Sequence, residues 1–342
     1  MRLEEACISA FARHETFAPR YGWLKKAYDG ALRDNLIFAR DGATVELGVG
    51  KNMVRAIRFW GHAARVLVDV ENPANSRASL SAPSRIGRAI FDDDGWDPYC
   101  EDPATLWLIH WLLLAPPSQL PVWWAVFHEF TALEFTDAGV TQFAEDHIGA
   151  IHRWNAPHSS SIAKDVSCLL RTYAHSAGSA RAGADDLIDC PLRDLGLLLP
   201  GGSGARTYRF AIGAKPTLPP EIVLYACLDF LARSDESSRT ATVSRLATEP
   251  GGPGRAFRLS ETALTAALEE AASRTKDVNI VAPAGVPQLT FGGDAAALAT
   301  EVLNVYYAER RPGVAAIDVA AGPAADTAAP DIVPARRLRA SR

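Results

Sequence analysis

At 342 residues the chain is long enough for two or three domains, and its 48% hydrophobic and 22% charged content is that of a soluble globular protein. A net charge of -5 gives no whole-chain support to a polyanionic partner. Five scattered cysteines without a CxxC pair argue against a zinc ribbon and a disulfide framework.

The charge is segregated. Residues 13–90 hold 13 Arg and Lys against 7 Asp and Glu, whereas residues 91–146 hold 11 acids and no Arg or Lys. The N-terminus shows no apolar leader. The best membrane candidate, "ATLWLIHWLLLA", is too short to span and reads as a buried core helix. A cytoplasmic protein with no membrane partner is expected.

In chain order, Pro19 sits where a helix can begin, and Trp23, Leu24, Ala27, Tyr28 and Ala31 follow at helical spacing. A short helix, "ATVEL", comes next, and Gly48 and Gly50 break it. A longer amphipathic helix then starts near Lys51 or Asn52. "RVLVDVE" reads as a strand, and beyond a turn-rich stretch "AIF" reads as its partner. Helix, short helix, glycine turn, helix and hairpin is the order of a winged helix.

The arrangement echoes twice. "HSSSIAKDVSCLLRTYA" is a capped helix followed by a hairpin, "DLGLLLPGGSGARTYRFAIG". A third set runs from "ATVSRLATEP" to "VNIVAPAGVPQLTF", and "PPEIVLYACLDFLAR" between them reads as an amphipathic helix. The fold expected is mostly α with small β-hairpins, in tandem winged-helix-like modules. Their expected limits are 1–91, 92–235 (with a central helical region) and 236–310. Residues 311–342 form an Ala/Pro-rich tail expected to be disordered.

Three stretches carry candidate chemistry. Lys51, Arg55, Arg58, His62 and Arg65 recur at spacings of 4, 3, 4 and 3, so one helical face holds five basic side chains and no acid. Such a face suits phosphates, and Arg also reads guanine through paired donors. With Asn52, and with Arg20, Lys25 and Lys26 from the preceding helix, these are the candidate DNA-binding residues. The plainer reading is a solvated face.

His14 and Glu15 are adjacent, and an imidazole beside a carboxylate can act as general acid and base. Alternatively the imidazole holds its own turn through a hydrogen bond. "FDDDGWDPYCEDPATLW" packs six acids into eleven positions. Clustered carboxylates bind hard cations such as magnesium, which makes Asp97 and Glu101 candidate metal ligands. Asp102 before Pro103 is read as a helix N-cap. Trp96 and Tyr99 are the aromatics set apart from the core as candidates for stacking bases. No EF-hand loop, HExxH helix or phosphate-binding glycine loop is present, so neither a nucleotide nor an organic cofactor is expected.

Five blocks together carry a resemblance: "FARHETFAPRYGWLKKAYD", "LGVGKNMVRAIRFW", "GWDPYCEDPATLWLIHWLL", "SSIAKDVSCLLRTY" and "DLIDCPLRDLGLL". The chain resembles the bacterial SspB-type family, formerly a domain of unknown function, which supplies the DNA-nicking component of single-strand DNA phosphorothioation systems. Ala12-Arg13 and Cys100 depart from the family pattern. The resemblance implies anti-phage DNA modification. It also implies double-stranded DNA as partner, together with a cysteine desulfurase, an ATPase and an ATP-pyrophosphatase-type protein.

The expected activity is a nick in one strand, dependent on Mg2+ or Mn2+, with His14, Glu15, Asp97 and Glu101 as the catalytic candidates. The alternatives are a non-catalytic DNA-binding adaptor and a transcriptional regulator.

Overall fold

A computed structural model describes residues 1–72, 79–174, 190–202, 206–234, 238–314 and 316–317. After a single turn, α1 (Leu3–Ala6), comes α2 (Trp23–Arg33). It starts beyond Pro19 because Gly22, in left-handed backbone, turns the chain first. Then follow α3 (Ala43–Glu46), α4 (Lys51–Ala63) and the antiparallel pair β1 (Leu67–Val70) and β2 (Leu80–Pro83).

In α4, Val54, Ile57, Gly61 and their neighbours Ala56, Trp60 and Ala63 are buried, the stripe expected of one helical face. Gly61 permits the crossing with α2: a β-carbon there would lie 2.8 Å from the Leu67 side chain and 3.1 Å from that of Ala27.

The second strand of this hairpin is not "AIF". Ser84 caps α5 (Arg85–Phe91) by accepting the Gly87 amide at 2.8 Å, so Ala89, Ile90 and Phe91 continue a helix. The strand falls earlier, in the turn-rich stretch. Next come α6 (Pro103–Leu114) and α7 (Pro121–His128). Every residue of α6 from Ala104 to Leu114 is buried, as the apolar run predicts. Asp102 is its N-cap, accepting the Ala104 amide at 2.9 Å.

Two further units share one connectivity. The first has β3 (Glu134–Thr136), α8 (Asp137–Gly149), α9 (Ser159–Tyr173), β4 (Leu198–Pro200) and β5 (Thr207–Phe210), in sheet order β3-β5-β4. After α10 (Pro220–Ser234), the other has β6 (Thr240–Thr242), α11 (Val243–Thr248), α12 (Pro253–Ala256), α13 (Glu261–Ala272), β7 (Val278–Val281) and β8 (Gln288–Phe291), in order β6-β8-β7. In each, strand, helices and hairpin follow in turn, and the first strand pairs with the last. The chain closes with α14 (Ala295–Arg310).

The architecture is mostly α with small antiparallel sheets. One apolar cluster runs from Leu3 to Tyr307 and includes residues of all three expected units. Although α10 reads as amphipathic, it buries nine of its residues, Ile222 to Leu228 and Phe230 and Leu231, because α13 and α14 both pack on it. The tail is ordered at its start, where Asn304 and Ile317 exchange hydrogen bonds of 3.0 and 2.9 Å. The rest of the expected tail lies outside the described residues. None of the five cysteines is disulfide-bonded, and no helix among the described residues is long and apolar enough to cross a membrane.

Candidate functional site

The basic face of α4 divides into an open half and a closed half. Lys51, Asn52 and Arg55 are exposed, and the helix starts at Gly50 with no side-chain cap. The amides of its first turn therefore point outward without a side-chain acceptor.

One turn on, Arg58 binds inward to the hairpin: Nε donates to Ser81 (3.2 Å), and Nη2 donates to Asp69 (3.0 Å) and Ser79 (3.1 Å). His62 shares the Ser81 hydroxyl at 2.9 Å. Burial pushes its pKa down to about 4, more than Asp69 restores, so the ring is uncharged at neutral pH. Arg65 is off the face altogether. The helix has ended, its φ is 59°, and its guanidinium donates to the carbonyls of Ala115 (2.5 Å) and Pro116 (2.6 Å) after α6. The five-residue row therefore offers two outward cations, and three of its members are tied into the fold.

Arg20, Lys25 and Lys26 gather elsewhere. With Glu101 they border a cavity of about 910 Å³ whose wall includes Trp60 of α4, Ala64 just after it and Glu46, Leu47 and Gly48 just before it. Lys51 and Arg55 do not line it. Arg20 rests near the rings of Phe17 and Trp23, Lys25 pairs with Asp29 at 2.6 Å, and Lys26 donates to the Leu47 carbonyl at 2.8 Å.

His14 is enclosed, 1% exposed, against Phe59, Trp60 and Trp123. The Thr16 amide donates to Nδ1 (3.1 Å), so the proton sits on Nε2, which donates to Asp165 Oδ1 at 2.6 Å. The same oxygen accepts the Ala12 amide at 2.8 Å, and Asp165 is 3% exposed. These bonds hold a turn in which Ala12, Glu15 and Thr16 all have left-handed φ, a conformation that costs such residues about 1 kcal/mol each. An imidazole so placed fixes a turn. Glu15 is half-buried, with Arg55 Nη1 3.5 Å from its carboxylate. Asp165 is absent from the sequence reading because 151 positions separate it from His14. The available signal was an acid beside Val166 on the apolar stripe of α9.

Asp97 is also enclosed. Its two oxygens accept the amides of Glu101 (2.9 Å) and Asp102 (3.0 Å), so it closes the acidic loop as a cap. Trp96 is buried in a parallel stack on Tyr307, with centroids 4.8 Å apart, while Tyr99 is 68% exposed. Arg311 donates to the carbonyls of Gly95 and Asp93, which fastens the loop to the end of α14. Glu101 is exposed.

Among the described residues no group of three or more His, Cys, Asp or Glu is placed to hold a metal. Each Asp97 oxygen already accepts an amide, and no cage of three carboxylates forms in the acidic loop.

The chain belongs to the family described as "Protein of unknown function (DUF4007)", which matches residues 11–307. Within it, the chain is similar to two crystal structures of SspB, one of them magnesium ion-bound. Each is 41% identical, covers 92% of this chain and 93% of its own, and the TM-scores are 0.85 and 0.84. The resemblance carried by the five sequence blocks is thereby shown. No curated protein matches the chain.

Proposed function

We propose that this chain is the DNA-engaging component of a phosphorothioation system, and that its units, within 1–91, 92–235 and 236–310, are winged-helix modules. The first would set the N-terminal half of α4 into the major groove of double-stranded DNA. The observation that carries the reading is the outward first turn of α4, where Lys51, Asn52 and Arg55 are exposed beside uncapped backbone amides.

Each part has a use on a duplex. Cations displace counterions from phosphates, helix N-termini attract phosphate oxygens, and Arg and Asn pair with guanine and adenine edges. Arg58 and His62 would hold the hairpin at a fixed angle to the helix, as a wing requires. Likeness to SspB over nine-tenths of the chain supports the system. The expected companions are the cysteine desulfurase, the ATPase and the ATP-pyrophosphatase-type protein.

Nicking of one strand is the finer reading, and Glu15 and Glu101 are its remaining accessible carboxylates. A non-catalytic adaptor that recruits the sulfur-transfer proteins is the second reading. It is favoured by the enclosure of His14 and by the lack of a carboxylate cage among the described residues.

Supercoiled plasmid incubated with the protein, with and without magnesium or manganese, separates the two. Cation-dependent conversion to open circles, lost in Glu101→Ala or Glu15→Ala, supports a nickase. Binding without conversion supports the adaptor. A Lys51→Ala/Arg55→Ala protein that binds DNA with an unchanged salt dependence rules out the α4 surface.

A further inference from the structure

The helix that precedes the hairpin in the second unit repeats the pattern of α4. On α9, Ser160, Lys164, Ser167 and Arg171 are all exposed and stand at spacings of 4, 3 and 4, the rhythm of Lys51, Arg55, Arg58 and His62. Its one acid, Asp165, is buried against His14. The outward residues of α9 itself are therefore hydroxyls and cations, a composition suited to phosphate oxygens, with the Glu145 carboxylate of α8 bonded to Ser159 at the start of the helix. The third unit provides the contrast: α13 exposes Glu261, Glu269 and Glu270, a face that repels a polyanion.

The two helices are also joined. Residues 12–17 run between them and bond to both. From α9, Asp165 accepts the Ala12 amide and the His14 ring, and Arg171 donates to the Thr16 carbonyl. From α4, Trp60 Nε1 donates to the Phe17 carbonyl at 2.9 Å, and Arg55 lies 3.5 Å from Glu15. The residues that approach the loop from each side thus include a cation of each exposed face, Arg55 and Arg171, and the loop adds Arg13, itself exposed. Six residues so bonded, three of them in left-handed backbone, form a spacer of fixed length.

Resting on the DNA-engaging reading above, we propose that α4, the 12–17 loop and α9 form one composite surface for a single duplex. Lys164, Ser160 and Ser167 contact its backbone, and the His14–Asp165 pair sets the separation of the two helices. His14 is on this view a positioning residue. The acidic α13 takes no part.

The test measures binding to a 30-base-pair duplex as a function of salt for the full chain and four variants: Lys164→Glu, Lys51→Ala/Arg55→Ala, the combination of the two, and Glu269→Gln/Glu270→Gln. Lys164 is the chosen position because it is exposed and makes no hydrogen bond or ion pair among the described residues, so the fold should survive, as circular dichroism would verify. The composite surface predicts that Lys164→Glu flattens the plot of log K against log salt by about one unit. It also predicts that this loss adds to that of Lys51→Ala/Arg55→Ala, and that Glu269→Gln/Glu270→Gln changes nothing.

A Lys164→Glu protein with unaltered slope, beside a flattened Lys51→Ala/Arg55→Ala, overturns the composite surface and leaves the α4 reading standing. Unaltered slopes in both overturn the two together. A slope steepened by Glu269→Gln/Glu270→Gln would place α13 at the duplex and overturn the surface as drawn.

Discussion

The basic helix α4 and the acidic loop before α6 are opposite in sign, with five basic side chains between Lys51 and Arg65 and six acids between Asp92 and Asp102. Each is divided between open and closed charges. The first turn of α4 keeps Lys51, Asn52 and Arg55 in solvent, and the loop keeps Asp93, Asp94 and Glu101 there while it turns Asp97 inward onto two amides and Asp102 onto a helix start, with the Tyr306 hydroxyl 3.1 Å away. The difference teaches that a charge is available to a partner only if no internal donor or acceptor has reached it first. Within α4 the rule is graded: Arg58 is bonded to Ser81, Asp69 and Ser79, whereas Arg55 has the Glu15 carboxylate 3.5 Å away and stays exposed.

The comparison breaks most sharply at carboxylates that are wholly internal. Asp165→Ala leaves the Ala12 amide and the Nε2–H of His14 without an acceptor, at about 1–3 kcal/mol for each buried group left unpaired. A large fall in calorimetric Tm is expected, with protease cutting at residues 12–17. A variant as stable as the parent would mean that the pair does not hold the loop.

Asp97→Ala comes next. Two amides lose their acceptor, at about 1–3 kcal/mol for each buried group left unpaired. Urea unfolding should show the loss directly, and the salt dependence of DNA binding should stay that of the parent. If the variant keeps its stability but loses cation-dependent activity, Asp97 is a ligand and the cap assignment falls.

A pH titration of stability gives a comparable effect. His110 accepts the Tyr173 hydroxyl at Nδ1 and donates from Nε2 to the Ala256 carbonyl, so it is a neutral ring, and burial pushes its pKa down to about 4. The unfolded chain takes up that proton first, near pH 6.5. This contribution to stability is therefore whole above pH 6.5 and is lost as pH falls toward 4, by roughly 3 kcal/mol at about 1.4 kcal/mol per pH unit. Equilibrium unfolding at several pH values should show a shallower slope in His110→Gln over that window. Equal slopes would mean that the ring is not held neutral.

The smallest expected effect on stability comes from the open charges. Lys51→Ala/Arg55→Ala should stay within about 0.5 kcal/mol of the parent for each exposed change, while the salt dependence of binding flattens. Arg58→Ala, in contrast, should disturb the hairpin as well as any DNA contact, because its guanidinium bonds Asp69, Ser79 and Ser81. A stability change confined to Arg58→Ala would sharpen the boundary between the open and closed halves of α4.

Much of this protein was legible from sequence alone. Local periodicity is enough to place α4, α6 and α9, to name Asp102 as a cap and to see the hairpins of the second and third units, because 3.6-residue and 2-residue patterns and capping chemistry act between near neighbours. The five sequence blocks were enough for the family. Partnership across the chain was left to the tertiary structure. It joined His14 to Asp165, turned Arg65 onto the carbonyls after α6, closed Asp97 over its own loop and gathered Arg20, Lys25 and Lys26 around a cavity that Lys51 and Arg55 do not line. Those outcomes depend on which donors and acceptors meet when the core closes, and a buried polar group must find a partner wherever the chain brings one. Spacing along a helix determines which side chains share a face, and packing determines whether that face looks outward.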